Sequence, residues 1–122
     1  MFESGELVQQ SIQFSIQLII YYRWLCQEKR EYVLSRQVLK SGTSIGANIH
    51  EARYAQSKAD FNAKMQISLK EAAETQYWFF ILEASDFLPE EFAHLVKKCE
   101  SLKRMLVKSL PTSKNSKPIN NQ

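Results

Sequence analysis

The sequence is short of most residues that make turns, bridges or ligand cages. Three glycines and three prolines in 122 residues are too few for an all-β fold, which needs a turn about every ten residues. The two cysteines, Cys26 and Cys99, form neither a C-x-x-C pair nor a metal-spaced cluster. They read as small buried hydrophobes in a reducing cytoplasm. The only histidines are His50 and His94. Long hydrophobic runs are missing too. The longest uncharged run, Leu7 to Tyr22, contains four glutamines and two serines, too short and too polar for a membrane span. The opening Met-Phe-Glu-Ser-Gly-Glu is acidic, where a secretory signal starts basic. A soluble, cytoplasmic chain with no membrane contact is expected.

What is present is enough for one core. The chain is 44% hydrophobic and 24% charged, which excludes a wholly disordered protein. A chain of this length buries roughly two-thirds of its unfolded surface. Sixteen basic residues against 13 acidic ones give +3, a bias too mild to establish a nucleic-acid partner by itself.

The dominant period is helical. Leu7, Ser11, Phe14, Leu18, Tyr21 and Leu25 step by four and three, one face of a helix expected over 6–26. A second helix, expected over 31–55, carries Leu34, Val38, Ile45, Ile49 and Ala52 on one stripe. Ser57-Lys-Ala-Asp60 resembles a capping box at the start of a third helix, expected over 58–86, with Phe61, Met65, Leu69, Ala72 and Phe79 inward. Asp86-Phe-Leu-Pro89 ends it. Pro89 suits the first position of a fourth helix over 89–109, with Phe92, Leu95, Cys99, Leu102 and Met105 or Leu106 buried. The reading is an all-α fold, an antiparallel up-down four-helix bundle over 1–110 with a flexible polar tail over 111–122.

Three features exceed what such a bundle needs. On the first helix Gln10, Gln13 and Gln17 continue on the same face into Ile20 and Trp24. On the third, Tyr77-Trp78-Phe79-Phe80-Ile81-Leu82 is apolar on every side, and a helix apolar all round asks for burial all round. Part of that burial is expected from a second subunit, with Trp24, Tyr77 and Trp78 as interface candidates. On the second helix Gln37, Ser41, Ser44, Asn48 and Glu51 line one face, while Gly42 and Gly46 lie on the other flank. The polar face reads either as an internal or intersubunit hydrogen-bond network or as a functional surface. The two glycines cost the helix about 1 kcal/mol each relative to alanine, and small residues at this spacing admit close approach of another helix.

The residues 37–52, Gln-Val-Leu-Lys-Ser-Gly-Thr-Ser-Ile-Gly-Ala-Asn-Ile-His-Glu-Ala, resemble the signature of a family of bacterial four-helix-bundle proteins. The family is also called the 23S rRNA intervening-sequence proteins, after insertions in that rRNA gene. Asp60-Phe61, Lys64, Ile67 to Ala72, Glu74-Thr75 and Tyr77-Trp78 are similar to its second block. Lys40 stands where arginine is expected and Ser68 where alanine is. The resemblance spans roughly residues 7 to 108 and implies an antiparallel bundle assembled into a homopentameric ring. It also implies kinship with the accessory variability proteins of diversity-generating retroelements, which are basic and bind nucleic acid and a reverse transcriptase.

Catalysis is not expected. A di-iron bundle needs two Glu-x-x-His pairs, and the chain has one, Glu91-Phe-Ala-His94. His50 and Glu51 are adjacent, so they point about 100° apart on a helix. Gly42-Thr-Ser-Ile-Gly46 lacks the Gly-Lys-Ser/Thr ending of a phosphate loop. No metal, cofactor or catalytic residue is therefore assigned. Arg36, Lys40, Arg53, Lys58, Lys64 and Lys70 are candidates for phosphate contact, or else ordinary solvated charge. From Ser101 onward Lys103, Arg104, Lys108, Lys114 and Lys117 meet no acid. Two functions stand: a non-enzymatic oligomeric accessory protein binding RNA or DNA without sequence preference, or a ring that binds only proteins.

Overall fold

The computed structural model describes residues 5–111; apart from Pro111, the expected tail lies outside the described residues. Among those residues all regular structure is helical: α1 (Glu6–Gln27), α2 (Leu34–Ala52), α3 (Lys58–Ala84), a 3-10 turn at Glu90–Phe92, and α4 (His94–Ser109). Each helix packs on the next, and α4 returns onto α1. Helices α1 and α3 therefore occupy opposite corners, as do α2 and α4.

The helix boundaries follow from local hydrogen bonding. Helix α2 starts three residues later than its sequence periodicity suggests. The Glu31 carboxylate accepts from the amides of Val33, Leu34 and Ser35 at 3.2, 2.9 and 2.6 Å, so Glu31 acts as a cap outside the helix. Ser57 caps α3, its hydroxyl accepting from the Asp60 amide at 3.0 Å. In return the Asp60 carboxylate accepts from the amide of Gln56 at 3.2 Å, one residue before the cap. Helix α3 ends in a Schellman motif: Asp86 has φ 65°, and the amides of Phe87 and Asp86 bond Leu82 O and Glu83 O. Pro89 does not open α4. A 3-10 turn intervenes, and it brings Phe92 to 5.0 Å from the Tyr21 ring and 5.3 Å from Trp24.

One core gathers residues from all four helices, centred on Phe14, Leu18, Tyr21, Ile45, Met65, Phe79, Leu95 and Leu102. Phe14 meets Phe79 edge to face across the interior at 6.4 Å. The buried Tyr21 hydroxyl donates to Phe87 O at 2.7 Å, so its polar tip is satisfied. All six residues of the α1 stripe read from the sequence are buried. At Gly42 side chains of α1 fill the space a Cβ would take: a Cβ there would run into Leu18 and come within 3.3 Å of Phe14.

Candidate interaction surfaces

With the core phase fixed, the outer face of each helix is fixed as well, and the four faces differ. On α1, Ile12, Ile16 and Ile20 form a ridge away from the core and are 48%, 55% and 54% exposed. Spaced four apart, they run about 12 Å along the helix. On α3, Ala73, Tyr77, Phe80 and Ala84 form a second exposed ridge, with Tyr77 at 56% and Phe80 at 67%. Isolated exposed apolar residues need no explanation, but two aligned ridges on opposite corners do. The outer faces of α2 and α4 carry Arg36, Lys40 and His50, and His94, Lys97, Arg104 and Lys108, all exposed.

The interface candidates fall differently. Trp24 is half-buried within the chain, stacked on Tyr21 at 6.2 Å, packed on Phe92 and covered by the Lys29 ammonium at 5.6 Å. Trp78 is half-buried, its Nε1 donating to Glu74 at 3.1 Å. Tyr77 is open. Gln10 and Gln17 are half-buried and Gln13 is exposed, with Gln17 Oε1 enclosed and unpartnered among the described residues. The isoleucine ridge is the feature that inspection of the sequence missed beyond Ile20. Its signal was there, as isoleucine at every fourth position.

The polar stripe of α2 divides into two parts. Ser41 is buried, and its hydroxyl lies 2.9 Å from Thr75 Oγ1, which donates to Glu71 O. Ser68 donates to Ile45 O at 2.8 Å. These bonds tie α2 to α3 inside the core. Ser44 and Asn48 are half-buried and bond only carbonyls of their own helix, Lys40 O and Ser44 O. Gln37 is exposed, and Glu51 pairs with Lys64 at 3.1 Å. Further along this seam, burial pushes the Glu71 carboxyl above its ordinary range; the neighbouring Glu74 charge adds to this and Lys40 opposes it.

The six candidate cations do not converge. Arg36 and Lys40 share the outer face of α2, Arg53 follows its end, and Lys58 and Lys70 lie on α3. Lys64 is already neutralised by Glu51. Helix α3 holds four acids to three bases. Charge gathers instead on α4, with five bases to one acid. Among the described residues no three His, Cys, Asp or Glu side chains come together where they could hold a metal ion. The Cys99 thiol, pushed up to about 12 by burial, donates to Ala72 O and stays protonated at neutral pH. No helix among these residues is long and apolar enough to cross a membrane.

Comparison with known proteins agrees with this architecture. The family model described as 23S rRNA-intervening sequence protein matches residues 3–108. A solved structure of a protein of unknown function from the S23 ribosomal protein family of Bacteroides thetaiotaomicron is similar at 38% identity, with a TM-score of 0.84. The match covers 87% of this chain and 99% of that one. No curated protein matches the chain.

Proposed function

The chain belongs to the family of 23S rRNA-intervening sequence proteins, and on that premise we propose that it is a non-enzymatic, self-assembling helical accessory protein that binds nucleic acid through the backbone. The observation that carries this reading is the alternation of outer faces, apolar on α1 and α3 and basic on α2 and α4.

An antiparallel up-down bundle is the proposed topology. Its support is that paired positions fall along one helix as they rise along its neighbour: Cys26 with Ser35, Leu18 with Gly42, Ser11 with Gly46. The same holds for Glu51 with Lys64 and Ser41 with Thr75. Two different apolar faces on opposite corners favour a heterologous contact, α1 of one subunit on α3 of the next. Contacts of that kind close into rings or run on as filaments. Five subunits is the number the family resemblance implies. In such a ring each basic face is repeated around the axis, and weak phosphate contacts multiply.

The partner in this reading is RNA or DNA in the cytoplasm, in the setting of RNA processing or beside a reverse transcriptase. The test is retention of the assembled oligomer on unrelated RNA and DNA sequences, followed from about 50 to 200 mM salt. Binding that falls steeply with salt and varies little with sequence is expected. An assembled oligomer retained on neither polymer would instead be a protein-binding scaffold.

A further inference from the structure

Of the four helices described, α4 carries the largest excess of bases, five to one acid. His94, Lys97, Ser101, Arg104 and Lys108 succeed one another by three and four positions opposite the buried Leu95, Cys99, Leu102 and Leu106. They form a single stripe about 21 Å long. The three cations on it are exposed and make no ion pair among the described residues, whose ion pair is Lys64 with Glu51. Beside the stripe, a shallow depression of about 440 Å³ is lined by Gln76, Glu100, Lys103, Arg104, Val107 and Lys108. Lys103 leans into the seam with α3 and donates to Gln76 at 3.0 Å. Three cations therefore border this depression and one acid opposes them.

The stripe contains no apolar residue, with Val107 at its flank. Protein-binding faces have a desolvated core of aromatic or apolar groups. A polyanion needs only cations at intervals, because phosphate contacts position the strand without reading it. We propose that the outer face of α4, centred on Lys97, Arg104 and Lys108 and extended by the depression at Lys103, is the surface that takes the phosphodiester backbone of a nucleic-acid strand. At the axial rise of about 3.4 Å per phosphate of one duplex strand, its length corresponds to roughly six phosphates. Arg104 supplies the planar fork suited to two phosphate oxygens, and the lysines act as point charges. This assignment rests on the nucleic-acid reading above and narrows it: the scattered cations of α2 and α3 are secondary.

The test compares three full-length variants with the parent protein, using a labelled oligouridylate and a labelled oligothymidylate. Replacing Lys97, Arg104 and Lys108 with Gln should weaken binding roughly tenfold or more near 50 mM salt and lower the salt slope by about two to three. Replacing Arg36, Lys40 and Arg53 with Gln should change affinity less than about threefold. A charge-preserving set, Lys97→Arg, Arg104→Lys and Lys108→Arg, should retain binding. Circular dichroism and native mass verify that each variant is folded and assembled. If the parent binds and the α4 variant binds equally well, or the α2 variant loses as much, the assignment to α4 is overturned. If the parent binds neither oligonucleotide at low salt, the broader nucleic-acid reading falls first and takes this one with it. Poly-L-glutamate that displaces the oligonucleotide at a lower charge concentration than unlabelled strand would also overturn it, in favour of an acidic protein.

Discussion

Helices α1 and α4 lie side by side and serve the same core, yet their outer faces have opposite chemistry. Both bury a stripe with three-and-four spacing, Leu7 to Leu25 in one and Leu95 to Leu106 in the other. Outside, α1 has one acid and one base in 22 residues and an isoleucine ridge. Helix α4 has five bases in 16 residues and no apolar residue on its outward stripe. The core periodicity is thus a shared framework, and the outer faces are where the two helices part in chemistry. An isoleucine ridge gains free energy only by leaving water against another apolar surface. A lysine and arginine stripe gains by neutralising an anion.

The contrast can be broken most sharply on α1. Ile16→Glu places a carboxylate in the middle of the ridge, where assembly would bury it without a partner. Losing the isoleucine contact and enclosing the charge together cost about 3 kcal/mol or more. The subunit contact should weaken at least about a hundredfold, read by sedimentation velocity. Ile16 is exposed in the subunit, so far-UV circular dichroism should not change. Phe80→Glu should do the same from the α3 side. If these substitutions unfold the subunit, the ridges belong to the fold and the comparison with α4 collapses.

A smaller effect is expected inside, where outer-face chemistry plays no part. Gly42→Ala drives a methyl into Leu18, which is fully buried and would have to repack against its core neighbours. Overpacking of about 1–3 kcal/mol should outweigh the gain in helix propensity of about 1 kcal/mol and lower the melting temperature. Gly46→Ala meets the Ser11 hydroxyl at 3.1 Å and Ser11 Cβ at 3.3 Å, looser contacts than that at Gly42, and should be milder.

The smallest effect concerns charge within the α2–α3 seam. The Glu71 carboxyl titrates above its ordinary range because of burial and Glu74, against the pull of Lys40. Its ionised form is therefore disfavoured by folding. Stability is lost as pH rises through the folded value and is regained below the unfolded carboxylate range. Glu71→Gln should be slightly more stable than the parent at neutral pH, within about 0.5 kcal/mol. The difference should vanish near pH 3. Urea midpoints at the two pH values check it, and a loss of stability at neutral pH would show that the Lys40 attraction dominates.

The inward half of this molecule was easier to read from sequence than the outward half, for a physical reason. Periodicity reports which residues recur on one face, so all six α1 core positions were legible, and so was the Ser57 cap. It does not separate a helix start from a cap that precedes it, which is why Glu31 read as helix. Nor does it show that Phe92 needs a 3-10 turn to reach Tyr21. On the outside, α1 is apolar on two opposite faces. Ile12 and Ile16 were hidden by the stronger core stripe, and Trp24, conspicuous in sequence, packs on Tyr21 and Phe92 of the same chain. On α4 the charge was legible from Ser101 onward. Lys97 shares the face of Arg104 and Lys108, opposite the buried Leu95 and Cys99, but precedes Glu100 and so lies outside that acid-free run.

The native mass of the full-length protein at micromolar concentration tests the central claim, that apolar ridges on opposite corners join subunits. An assembly of five 14.2 kDa subunits is expected, reduced to one by Ile16→Glu with helicity intact. A parent protein of one-subunit mass under the same conditions would contradict it.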